Sequence, residues 1–322
     1  MNRILHPGLW VALGVPALVG AWPLLTGSAA NREVVFTILL SVTLASSLNI
    51  LLGYTGYVNF GHIVFFGLDG YIGFYLMSAR SSSLFLAMAA GGLGAGLLGL
   101  LLGKAILRLR GAYFALATIG VNEAARAFVN NFKPCGGPIG MSLNFRVFND
   151  YGGSTEALWL VYRLMLILTL SVILVSFVVR NSRFGLGLQA IRENEDAAEV
   201  MGVVAPSAKS WAYTLSAIFP GIAGVLFFFK NGNVEPIDAF RLHTSIEVIV
   251  MVMLGGAGTV FGPILGAGVY QRLRGLLLVS PVFKNIQLAV AGALLLVIIL
   301  FVPAGVVGWL RHRFPFLRRV LE

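Results

Sequence analysis

The chain has 322 residues, 58% of them hydrophobic and only 11% charged, with a mean hydropathy of +0.88. Soluble domains carry about 25% charged residues, so the composition excludes a soluble globular protein and points to an integral membrane protein. The net charge of +10 is not a nucleic-acid signal, because the basic residues lie mainly beside the ends of apolar runs, where they set orientation. The single cysteine, Cys135, excludes an intramolecular disulfide and a cysteine-based metal cluster. Apolar runs without sustained period-two alternation predict helices and not barrel strands. The expected class is an all-α polytopic membrane protein formed as a single transmembrane domain over 1–322.

A membrane helix needs about 20 apolar residues. The chain offers such runs at 8–26, 34–52, 63–79, 84–103, 112–130, 157–179, 211–230, 245–261, 263–279 and 286–303, about ten spans. The stretch from Arg3 through Trp22 is similar to a signal peptide, with Ser28-Ala29-Ala30 as a cleavage site. A retained first span is the preferred reading, since the apolar run is long for a signal core and another span follows at once.

Between the second and third runs stands Gly53-Tyr54-Thr55-Gly56-Tyr57-Val58-Asn59-Phe60-Gly61-His62. In the opposite half stands Gly255-Gly256-Ala257-Gly258-Thr259-Val260-Phe261-Gly262-Pro263. Neither contains a proper hydrophilic loop. Non-helical backbone at membrane depth survives only where protein or a water-filled path satisfies it. Paired interruptions in two halves are also the sign of internal repeats around a translocation site. The plainer reading is two tight turns with close glycine packing. For the second segment the plainer reading is preferred. For the first, Asn59 and His62 favour a path-lining role for Gly53, Gly56, Asn59, Gly61 and His62.

Further along, Glu123 and Arg126 lie i,i+3 on one helix face inside the run 112–130. Ionisable groups within a membrane are functional candidates, and pairing lowers their cost. The alternative is a structural pair that fixes this helix against a neighbour. The loop 131–156 is polar and rich in Gly and Pro.

Arg180 to Lys209 form a polar island, RNSRFGLGLQAIRENEDAAEVMGVVAPSAK. Ala190, Ile191, Ala197, Ala198 and Met201 recur at helical spacing, which predicts a short helix with one small, apolar face and one charged face. Gly185 and Gly202 would bound the element, Gly202 as a helix stop. Such an element suits docking to a soluble partner. A solvated charged face is the blander reading of Glu193, Glu195, Asp196 and Glu199. Basic residues place Lys104, Arg108 and Arg110 on one side with Arg180, Arg183, Arg192 and Lys209, joined by Arg311, Arg313, Arg318 and Arg319. The positive-inside rule therefore expects the island and both termini in the cytoplasm.

Searches for chemistry return little. The sequence holds no GxxxxGK[ST] phosphate loop, no H-E-x-x-H zinc motif, no G-x-S-x-G elbow and no CxxC pair. No metal site is expected at His62, and His6, His243 and His312 near span ends call for no special role. No cofactor is expected on this chain, so the energy source lies elsewhere.

Five ordered blocks carry a resemblance across nearly the whole chain: LNILLGYTGYVNFGHIVFFG (48–67), RLRGAYFALATIGVNEAARAF (108–128), SRFGLGLQAIRENEDAAEVMGV (182–203), SIEVIVMVMLGGAGTVFGPILGA (245–267) and LFVPAGVVGWL (300–310). Together they resemble the LivM-type permease of bacterial branched-chain amino acid ABC importers. The resemblance implies a subunit in the bacterial inner membrane that pairs with a second homologous permease, which the segment 53–62 would face, and with two cytoplasmic ATPases. A periplasmic solute-binding protein would deliver leucine, isoleucine or valine, with urea and short amides as the substrates of a sister branch. It also implies that Gly185, Arg192, Glu193, Glu195, Asp196, Ala197, Ala198, Met201 and Gly202 form the coupling element toward the ATPase. Two departures from the family stand out. Asp69 occupies a position usually small or apolar and is a candidate path residue able to select a cationic group. Ala304 follows Pro303 where a basic or polar residue is common. The rival readings are an ion-gradient carrier using Asp69, Glu123 and His62 as relays, and, weakest, an intramembrane enzyme.

Overall fold

The structure, a computed structural model, describes residues 7–279, 293 and 305–313. The chain is helical almost throughout. The elements are α1 (Pro7–Thr26), α2 (Ala29–Thr55), α3 (Ile63–Arg80), α4 (Leu84–Ile106), α5 (Ala112–Asn131), α6 (Ser154–Arg180), α7 (Arg183–Glu193), α8 (Glu195–Val200), α9 (Ala205–Asn231), α10 (Pro236–Ala239), α11 (Leu242–Gly255), α12 (Phe261–Val279) and α13 (Gly305–Arg313). The expected span 286–303 lies outside the described residues, as does Ala304. A two-residue ribbon, β1 (Met141–Ser142) against β2 (Asn233–Val234), is antiparallel and ties the loop 131–153 to the end of α9.

By length and hydropathy, α1, α2, α4, α6 and α9 are each able to cross a membrane. At about 1.5 Å per residue, the 14 residues of α11 fall short of the roughly 30 Å hydrocarbon core. The sequence expectation of a full span at 245–261 is therefore replaced by a short helix that ends at the second glycine-rich break. Helix α3 is unbroken over Ile63–Arg80.

Two helices, α2 and α9, form the enclosed centre. Around them, α1, α4 and α6 turn large apolar side chains outward, Leu18 and Leu93 at 75% exposure and Leu97 at 62%. In water such a surface would be an aggregation hazard; against lipid it is the expected outer face. Helix α4 meets α9 through Ala87, Gly91, Ala95, Gly99 and Gly103, buried at every fourth position. Lipid tails give apolar helices little reason to associate, so close backbone approach over small residues supplies the contact. A Cβ on Gly221 of α9 would lie 2.5 Å from the Ala95 methyl and 2.9 Å from the Gly91 carbonyl oxygen.

The connections alternate between two ends. One end carries the polar island and the junctions α2–α3, α4–α5 and α11–α12. The far end carries the loop 131–153 and the turns before α2, α4 and α11. A Gly221→Leu substitution is expected to force α4 and α9 apart at a cost of about 1–3 kcal/mol. A drop of several degrees in the thermal midpoint of the detergent-solubilised protein would register it, and an unchanged midpoint would show that the contact is not close-packed.

Candidate functional site

Both glycine-rich interruptions are real breaks, and they meet. Helix α2 ends at Thr55 with Gly56 in the left-handed region (φ 78°), its N–H donated to the Leu52 carbonyl. The chain then turns back inward over 56–62. His62 precedes α3 and lies beside Ser47, with Nε2 3.1 Å from Ser47 Oγ. Ser47 is eight residues before the end of α2, so α3 starts about 12 Å inside that end. Helix α11 ends at Gly255, and α12 starts at Phe261 after a turn containing Gly258 (φ 83°).

Asn49 of α2 holds the second break. Its Nδ2 donates to the Thr259 carbonyl at 3.0 Å, and its Oδ1 accepts the Gly258 N–H at 3.0 Å. A Cβ on Gly53 would lie 2.6 Å from the Gly258 nitrogen, so glycine is required here for backbone to approach backbone. The first break is satisfied from several helices. Gly61 N–H donates to Asn59 Oδ1 (2.9 Å), Phe60 N–H to Thr118 Oγ1 of α5 (3.1 Å), and Ile63 N–H to Ser245 Oγ of α11 (3.2 Å). Tyr57, Asn59, Gly61 and His62 are buried within this one chain. Its own helices α2, α5 and α11 cover these residues, while Val58 and Phe60 remain half-buried and Gly56 is exposed.

The island departs from the single helix expected. Asn194 adopts an extended conformation (φ −160°, ψ 111°), and its side-chain oxygen accepts the Ala197 N–H at 3.0 Å. It thereby starts a new helix, α8, and breaks the run in two. Gly185 does not bound the element but sits in the first turn of α7. A Cβ there would lie 2.8 Å from the Val179 carbonyl carbon, so glycine permits the tight turn out of α6. Gly202 does follow the helix end as expected, with φ 90°. Ala198 is buried, whereas Ala197, Glu193, Asp196, Glu199 and Met201 are exposed.

Arg192 and Glu195 face the membrane-spanning body. Arg192 Nη1 donates to the Gly53 carbonyl at 2.7 Å, beside Gly258, where a Cβ would meet the same nitrogen. The island is thus fastened where the two breaks touch. Glu195 accepts from Lys209 of α9 (2.6 Å) and from the Tyr57 hydroxyl of the first break (2.7 Å). Lys209 also donates to the Leu107 carbonyl at 3.0 Å and stands 4.7 Å over the Tyr57 ring. Arg110, between α4 and α5, meets Asp196 at 2.9 Å and Glu195 at 3.5 Å.

Burial raises the Glu195 carboxyl, but hydrogen bonds from Lys209 and Tyr57 and the charges of Lys209 and Arg110 overcome it. The net effect holds the carboxyl below its ordinary 4.5. A depressed carboxylate stabilises the fold above its unfolded value, and that stabilisation is lost as pH falls through the folded value.

The remaining sequence candidates lie elsewhere. Glu123 and Arg126 pair at 3.6 Å on the outer face of α5, with side chains 54% and 40% exposed. The inward face of α5 uses Thr118 and Asn122. Asp69 is buried where α3 meets α4 and α9, against Gly94 and Gly221. Neither joins the two breaks. Asn49, Ser47, Tyr57 and Lys209 were missed as site residues. Lys209 did leave a signal: a lysine near the start of a helix opposes the macrodipole and calls for an acidic partner.

Two cavities flank the first break. A groove of about 490 Å³ opens at the island end among Gly56, Val58, Phe60, Arg192, Ile249 and Met253. A cavity of about 380 Å³ opens at the far end and reaches inward to Ile63, Phe66, Val248 and Met251. Between them stand the His62–Ser47 and Ile63–Ser245 contacts. A mostly helical, outwardly apolar body with two opposed cavities separated by broken helices defines a membrane permease.

The particular family follows from comparison with known proteins. Residues 30–299 match the family described as branched-chain amino acid transport system / permease component, and the chain belongs to it. It is 29% identical to the high-affinity branched-chain amino acid transport system permease protein LivM of Escherichia coli K12, over 94% of this chain and 75% of that protein. It is 28% identical to the protein of the same name from Salmonella typhimurium LT2, over 90% and 73%. A more distant relative is the L-arabinose ABC transporter permease protein AraH of Azospirillum brasilense, 24% identical over 82% and 78%. No solved structure gives a significant match.

Replacing Lys209 with Met would deprive half-buried Glu195 of its closest cation while Arg110 stays 3.5 Å away, at an expected cost of about 1–3 kcal/mol. Glu195→Gln should flatten the loss of stability below pH 4.5 that the wild type shows. Thermal midpoints of both proteins across pH 3.5–7 check this, and parallel profiles would remove the charge linkage.

Proposed function

We propose that the chain is the membrane-spanning permease subunit of an ATP-binding-cassette importer for branched-chain amino acids, in the bacterial inner membrane. It would work beside a second homologous permease, two cytoplasmic ATPases and a periplasmic solute-binding protein. Termini and island would face the cytoplasm, and the far-end cavity the periplasm. The observation that carries this reading is the attachment of the island, through Arg192, to the point where the two helix breaks touch. Force applied to the island has a short, bonded route to the backbone that separates the cavities.

The island also offers a handle for such force. Val200, Met201 and Val204 project at 87%, 85% and 69% exposure, and Glu193, Asp196 and Glu199 on the same short stretch are exposed as well. Exposed apolar residues on an acidic stretch would suit a socket on a soluble ATPase. Gly53, Gly56, Asn59, Gly61 and His62 would then line or gate the path. Asp69, Glu123 and Arg126 would serve packing in the bilayer, since they do not adjoin the two breaks.

Two substitutions separate docking from transmission. Met201→Asp should weaken assembly with the ATPases. Arg192→Ala should leave assembly intact and lower uptake by about tenfold, the loss of a hydrogen bond to a charged group, while ATP hydrolysis continues. Uptake and hydrolysis measured together in proteoliposomes test both, and normal coupled uptake in Arg192→Ala would remove the transmission role.

Orientation is checked by cysteine labelling in a Cys135→Ser background. A cysteine at the exposed position Asn194 should react only from the cytoplasm, and one at the exposed position Asn149 only from outside. The reverse pattern would overturn the placement of both ends.

A further inference from the structure

The far-end cavity has a composition that the break segments do not explain. Its floor is apolar, with Leu44, Ile63, Phe66, Val248 and Met251. Its waist and mouth are charged, with Glu247, Arg274 and His243 deeper and Glu235, Asp238 and Arg241 at the rim. Charges within a membrane body are costly and are kept where they pair or meet a solute.

Glu247 organises the waist. Its side chain is 6% exposed. One oxygen accepts from Arg274 Nη1 at 3.1 Å; the other accepts from the Tyr270 hydroxyl at 3.2 Å and lies 3.2 Å from His243 Nε2. Arg274 meets Glu247 through Nη1 alone, and among the described residues its other N–H groups have no protein partner while it lines the cavity. His243 Nδ1 is buried without a partner. At the rim, Asp238 is paired with Arg241. Among the described residues, Glu235 has only the Asn233 amide as a hydrogen-bond partner, at 3.3 Å. The cavity therefore presents an incompletely used guanidinium, an incompletely used carboxylate and an apolar floor in one space.

Resting on the importer reading above, we propose that this cavity is a subsite for a free α-amino acid zwitterion with an aliphatic side chain. Arg274 takes the carboxylate, a planar fork meeting a planar acceptor. Glu235 takes the ammonium group. The side chain lies over Phe66, Val248 and Met251. Glu247 acts as a positioning residue, holding Arg274 and His243 in place. At about 380 Å³ the cavity falls within the roughly 300–1,000 Å³ of small-molecule sites. A neutral amide of urea type would leave both charges unanswered, and sites built for charged partners reject such analogues strongly.

The test uses the full importer in proteoliposomes, with this chain carrying Cys135→Ser and Thr244→Cys. Thr244 lines the cavity, so a small impermeant thiol reagent should modify Cys there from the far side. Leucine should slow that modification. Isopentylamine, which lacks the carboxylate, 4-methylpentanoate, which lacks the ammonium, and urea should each protect at least tenfold more weakly. Glu235→Gln, at an exposed position and safe for folding, should raise the leucine concentration needed for protection on the order of tenfold to hundredfold. Arg274→Lys should do the same. Leucine uptake by the importer without any protection at position 244 would overturn the subsite and leave the importer reading standing. Equal protection by leucine and isopentylamine, or unchanged protection in both variants, would also overturn it. An assembled complex that moves no leucine would overturn the importer reading itself.

Discussion

Backbone that leaves the helix inside a membrane must find its hydrogen-bond partners in the protein or in a water-filled path, and this constraint organises the molecule. Asn49 answers it with one side chain, giving a donor to Thr259 and an acceptor to Gly258. An amide carries its donor and its acceptor on separate atoms, so it can meet two neighbouring backbone groups at once. The geometry works because Gly53 and Gly258 carry no Cβ, so α2 and the second break touch through their backbones. Thr118, Ser245 and Asn59 perform the same service for the first break. Helix α2 therefore holds the second break, and α5 and α11 hold the first.

The charged island is fastened onto this frame through Arg192 and Glu195, while Glu193, Asp196 and Glu199 stay exposed. Glu195, Lys209 and Tyr57 form a compact buried group, with Lys209 capping the Leu107 carbonyl at the end of α4. Buried ion pairs seldom add net stability, because desolvation offsets the attraction. Their use here is positional. One cluster links the end of α4, the start of α9, the first break and α8, and it leaves Val200 and Met201 as the projecting tip. Arg192 adds a direct bond to Gly53.

The helix surfaces follow a different logic. The α4–α9 contact relies on small residues at every fourth position, and the outer faces rely on large apolar ones. Asp69 sits against glycines of α4 and α9, inside the packing and away from the breaks. Glu123 and Arg126 lie on the outer face of α5, where pairing lowers the cost of exposure to lipid or to a neighbouring subunit.

Much of this was legible in the sequence because it is local. Long apolar runs declared helices, glycine clusters declared the interruptions, and the run from Arg180 to Lys209 declared a polar element between spans. Ordered motifs pointed to the permease family. The split of the island at Asn194 was also local, a capping residue read past. What only the tertiary structure decided is which faces meet. Spanning helices are apolar all round, so periodicity, which reveals the buried face of a soluble helix, carries little information here. The meeting of Asn49 with Gly258 and Thr259 joins residues about 210 positions apart. The pairing of Arg192 with Gly53 spans 139. The gathering of Glu247, Arg274 and His243 around one cavity depends on how α11 folds back on α12. A sequence specifies that such polar groups must be satisfied; the packed chain alone specifies by whom.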